Sequence, residues 1–84
     1  MNLKELDLVV LLQDLPDFSL RKGDVGGIVY VHNAGQAFEV EFATLAGDTL
    51  AVTTLPAALI QAVDSSQILH TRDFSDLPPA RKSA

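Results

Sequence analysis

At 84 residues the chain makes one domain at most, with 48% of its residues apolar and 20% charged, so a thin single core is expected and disorder is excluded. The absence of cysteine removes a disulfide framework, a thiolate zinc site and a cysteine nucleophile together, and suits a reducing cytoplasm. Six basic residues against eleven acidic ones give a net charge of −5, a surface that repels phosphate backbones, so a basic protein is the expected partner and nucleic acid is not.

In the N-terminal stretch, Leu3, Leu6 and Val10 keep a helical spacing and Asn2 with Glu5 could form a capping box, whereas Leu8 to Leu12 is an unbroken apolar run. Its length favours a strand over Asp7 to Gln13, closed by the turn residues of Asp14-Leu15-Pro16-Asp17. This is also the longest apolar run of the sequence, too short for a membrane span or a signal-peptide core. A long connection over Pro16 to Asp24 carries Phe18 and Leu20, which must return to the core or stay exposed.

Val25 to Val31 is rich in β-branched residues, and Ala37 to Phe42 alternates strictly, with Phe38, Val40 and Phe42 inward and Glu39 and Glu41 in water. Asn33 and Gly35 between them accept positive φ, so a hairpin is expected. Gly47-Asp48 signals a second turn before Thr49 to Leu55, where Leu50, Val52 and Thr54 share one face. Leu55-Pro56 opens a single helical turn, and Ile60 to Val63 closes the sheet as a fifth strand. Beyond that, Asp64 and Gln67 could cap a short helix, or Gln67 to His70 could extend the last strand. The domain is expected over residues 1–71, with residues 72–84 a flexible tail.

Five short antiparallel strands with a one-turn helix before the last make a small all-β barrel, in which closure hides the edges and Gly26-Gly27 lets a strand bend at a corner. Leu-Asp-Leu-Val-Val at 6–10, Asp-Leu-Pro at 14–16, Leu-Arg-Lys-Gly-Asp-Val-Gly at 20–26, Ala-Phe-Glu-Val-Glu-Phe at 37–42 and Thr-Leu-Pro at 54–56 resemble, in that order, a family of short uncharacterised bacterial proteins. The resemblance implies an SH3-like barrel. Because some members neighbour toxin-like genes, it also implies an immunity or antitoxin role. The turn into Val25 is more loosely similar to the entry of ribosomal KOW domains and of nitrile hydratase β-subunit barrels, neither of which supplies a site that carries over.

Residue chemistry adds no catalytic set. Arg21 to Gly27 lacks the ending of a P-loop and reads as a structural turn, with Asp24 bonding the turn amides. Glu39 and Glu41, two apart on a strand at roughly 7 Å, read as two solvated acids. His32 and His70 are too few for a zinc site, and His32 reads as a loop residue. Neither metal, cofactor nor enzymatic activity is expected. Among the aromatics, Phe18 and Tyr30 are the candidates for the surface, while the rest fill the core. The expectation is a protein-binding module whose outward carboxylates Asp17, Asp24, Glu39, Glu41 and Asp48, together with Tyr30, meet a basic partner. A KOW-like RNA-associated barrel is the alternative, opposed by charge. Exposed apolar residues on a short edge strand would equally support a homodimer.

Overall fold

The computed structural model describes residues 3–74. It is all-β, with β1 at Leu8–Leu11, β2 at Val25–His32, β3 at Ala37–Ala43, β4 at Thr49–Pro56 and β5 at Ile60–Ala62. All pairings are antiparallel and the spatial order is β4-β3-β2-β1-β5. Laid flat, a five-stranded sheet would hold its edges about 19 Å apart. Yet only Ala57–Leu59, one 3-10 turn, separates the end of β4 from the start of β5. Four chain steps from Pro56 to Ile60 reach about 14 Å at full extension. The sheet must therefore curl until its two edges approach, which is the expected barrel.

Alternation fills its interior. Val9 and Leu11 of β1, Ile28 of β2, Phe38, Val40 and Phe42 of β3, Leu55 of β4 and Ile60 of β5 are all buried, and among the described residues no polar or charged side chain is buried with them. Leu20 joins them from the long first connection while Phe18 stays outside, so the two apolar groups of that segment part company. An Ala Cβ at Gly26 would lie 2.7 Å from Val40 Cγ1, 2.8 Å from the Glu41 carbonyl oxygen and 2.9 Å from Phe42 Cδ1. Here β2 crosses β3 so closely that only hydrogen fits, the physical reason for a glycine at the bend.

Several boundaries differ from expectation. β1 is shorter than Asp7 to Gln13, because the Asp7 carboxylate accepts the Lys4 amide at 3.0 Å and Leu15 already bridges Leu20. The β2–β3 loop contains three successive positive φ values, at Asn33, Ala34 and Gly35. Pro56 ends β4 in an extended conformation instead of starting the helical turn. On β4 the buried residue is Leu55, whereas Val52 and Thr54 line the exterior. Leu50 is the extra residue of a bulge beside Phe42 and Ala43.

Neither expected form of residues 64–70 occurs: Asp64 and Gln67 close a turn, the Gln67 side chain accepting the Asp64 amide at 2.7 Å, and no regular element follows. The chain then returns to the barrel. Phe74 packs on the core from outside, and Arg72 binds Asp24 through two hydrogen bonds of 2.8 and 2.6 Å and the Ser19 carbonyl at 3.0 Å. Of the expected tail, residues 75–84 lie outside the described residues. No helix among the described residues is long and apolar enough to cross a membrane.

Candidate functional site

The exterior of β2–β3–β4 carries a group of polar side chains that a backbone irregularity brings together. Between Ile28 and Tyr30 the β2–β3 register shifts by one residue, so Val29 bulges out. With strict alternation from the buried Ile28, Tyr30 would point into the core. The bulge turns it outward to stand opposite Glu39, and it turns Val31 inward opposite Phe38. Tyr30 is thus 51% exposed.

Around it the outer face is ordered. The Tyr30 ring meets His32 edge-on at 4.6 Å between centroids. His32 Nε2 lies 3.5 Å from Glu39 Oε2, an ion-pair distance without hydrogen-bond geometry, so that nitrogen is shielded from water and makes no hydrogen bond. His32 is the last residue of β2, not part of the loop. Thr49 Oγ1 donates to Glu41 Oε2 at 2.6 Å, fixing the second carboxylate. Thr54 and Val52 stand opposite Glu39 and Glu41. Tyr30, Glu39 and Glu41 are therefore brought together, with His32 and Thr49 as neighbours that sequence reasoning missed. His32 could have been found only by foreseeing the bulge, since without it the ring would not share a face with Glu39.

The other expected residues lie elsewhere. Asp17 is exposed on the 3-10 turn Pro16–Phe18. Asp48 belongs to the β3–β4 turn, where its amide donates to Thr44 Oγ1 at 3.2 Å and Thr44 Oγ1 donates to its carboxylate at 3.4 Å. Asp24 does bond a turn amide, accepting from Arg21 N–H at 2.8 Å, but it also holds Arg72. Burial pushes its carboxyl up, and the Arg72 guanidinium with the Arg21 amide outweighs that, leaving it below the usual aspartate range. Arg72 is raised in turn, chiefly by its bond to Asp24. The Asp24 charge is neutralised within the chain, so it contributes little to an outward acidic face.

Two open hollows lie on the surface, one of about 320 Å³ between Leu6, Leu8, Gly27 and Val29 and one of about 260 Å³ beside Asp14 and Arg72. Among the described residues no three His, Cys, Asp or Glu side chains are grouped as metal ligands would be.

Residues 5–62 match the domain of unknown function DUF4926. The chain belongs to this family. The match begins just before β1 and ends at Ala62, the last residue of β5, so the DUF4926 region coincides with the barrel and leaves the return segment with Arg72 and Phe74 outside it. No curated protein and no solved structure matches the chain.

Proposed function

We propose that this DUF4926 protein is a small non-enzymatic binding module whose outer β2–β3–β4 face docks a basic surface of a partner protein. The observation that carries the reading is the bulge-driven assembly of Tyr30, Glu39 and Glu41 on one exterior face. An exposed tyrosine ring supplies contact area at low entropic cost, and of the two acids beside it Glu41 is already oriented by the Thr49 hydroxyl. Complementary charge of this kind acts on encounter rate and partner choice more than on affinity. Its sharpest form is an immunity or antitoxin protein that occupies the cationic cleft of a basic toxin. A cysteine-free chain is consistent with work in a reducing cytoplasm.

The RNA-associated alternative has less support. Of the cations among the described residues, Lys4 is engaged by Asp7 and Arg72 by Asp24. That leaves little positive surface for a phosphate backbone.

The test is affinity capture from the source cell with the wild-type chain and with the Glu39→Gln/Glu41→Gln variant, at low salt and at about 0.5 M salt, where exposed charge is screened. A basic protein retained by the wild type at low salt, released by salt and lost in the variant supports the reading. Equal retention by both chains, or none by either, removes it.

A further inference from the structure

After β5 the chain sets one of its own cations into an anionic seat on the barrel, and the seat is built without that occupant. The Asp24 carboxylate accepts the Arg21 amide at 2.8 Å, the Asp24 carbonyl accepts the Leu11 amide at 2.9 Å, and Asp14 pins the same turn by accepting the Lys22 amide at 2.8 Å. Into it Arg72 places Nε on Asp24 Oδ1 at 2.8 Å and Nη2 on both Asp24 Oδ2 and the Ser19 carbonyl oxygen, at 2.6 and 3.0 Å. This fork asks for a guanidinium, because an ammonium is a point donor that cannot reproduce planar, bidentate contact with a carboxylate. Phe74 follows, its ring centroid 5.8 Å from the Arg72 guanidinium carbon and its side chain packed on the outside of the core.

We infer that this seat is a binding site for an arginine-bearing segment of a partner protein, Arg-x-Phe in pattern, and that Arg72 and Phe74 are a built-in competitor that holds it closed. The ligand chemistry is that of the segment already seated there. Ser19 and Asp24 lie inside the span 5–62 matched to DUF4926 and Arg72 and Phe74 outside it, so the seat belongs to the barrel and its occupant to the segment that follows. That segment leaves the open hollow of about 260 Å³ beside it, bordered by Asp14, Pro16 and Arg21, for a longer ligand to fill. A tether as short as residues 63–71 supplies an effective concentration on the order of millimolar, so closure needs an affinity only in that range, and a partner with added contacts in the hollow displaces it. The net charge of −5 favours approach of such a cationic segment. Asp24 precedes β2 whereas Tyr30 lies near its far end, so the seat is separate from the Tyr30 face and its failure leaves that reading standing.

The probe is a capped synthetic peptide of residues 68–74, Ile-Leu-His-Thr-Arg-Asp-Phe, titrated into the isotope-labelled full chain while the amide shifts of Ser19, Arg21 and Asp24 are followed. In the Arg72→Ala/Phe74→Ala chain, whose far-ultraviolet spectrum should match the wild type, the peptide should half-saturate these shifts at about millimolar concentration or below. In the wild type the closed seat should raise that concentration about fivefold or more. The Arg72→Lys peptide should bind the open variant about fivefold more weakly, and adding Asp24→Asn to that variant should abolish the shifts. No binding to the open variant, equal half-saturation in both chains, equal binding of the lysine peptide, or binding that survives Asp24→Asn would each overturn the inference. A wild type that sediments at twice its 9.0 kDa chain mass while the open variant does not would make the occupant a second copy's segment and overturn it as well.

Discussion

The barrel and the segment that returns to it after β5 are attached to the same molecule by different physics. Residues 8–62 are held by nine buried apolar side chains and a five-strand ladder. Residues 63–74 hold on through the Val63 amide, which donates to the Leu8 carbonyl at 3.1 Å, through Arg72 on Asp24 and Ser19, through Phe74 against the outside of the core, and through bonds local to the Asp64 turn. Apolar burial is cooperative and shared among many contacts, whereas a guanidinium clamp is one bidentate contact that a single substitution or proton removes. The first region should therefore fail only globally, and the second should detach while the first persists.

The largest expected effect is Phe42→Ala. It removes a fully buried ring and should cost about 3–5 kcal/mol, read as a lower midpoint in urea for strand and return segment together. Next is Gly26→Ala, which forces a methyl against Val40, Phe42 and the Glu41 carbonyl and should cost about 1–3 kcal/mol by the same measurement. Arg72→Ala is smaller in global stability, about 1 kcal/mol, but sharper in location. Amide exchange should accelerate over residues 63–74 and at the Asp24 turn, with β3 unchanged. If β3 exchange accelerates equally, the two regions are one cooperative unit.

Acid should imitate that variant. The folded pKa of Asp24 is depressed, so the stability it contributes is complete above the ordinary aspartate range and is lost as the pH falls through the depressed value. The amides of residues 63–74 should loosen before the barrel does in an acid titration followed by NMR, and Asp24→Asn should abolish that early step. The smallest effect is expected from Glu39→Gln with Glu41→Gln, within about 0.5 kcal/mol in stability, since both side chains sit on the exterior.

The contrast also explains what the sequence made legible. Period-two alternation identifies β3 and its inward Phe38, Val40 and Phe42 because a half-buried strand has no other way to satisfy both its faces. The turn residues around Gly35 and Gly47 give the hairpins. The Tyr30 surface was only half visible: the aromatic was a reasonable surface candidate, but the bulge at Val29 that places it opposite Glu39 has no residue signature. Nothing local to Arg72 announces Asp24, 48 positions earlier, as its partner, because a long-range ion pair leaves no periodic trace. For the same reason Asp24 looked like a surface acid available to a partner when it is already engaged.

The binding reading is tested most directly by titrating the isotope-labelled chain with the protein it retains at low salt and following backbone amide shifts. The account predicts that the perturbed amides cluster at Tyr30, His32, Glu39, Glu41 and Thr49 and revert when salt is raised. Shifts centred on residues 63–74 or on β1 and β5, with the Tyr30 face silent, would contradict it.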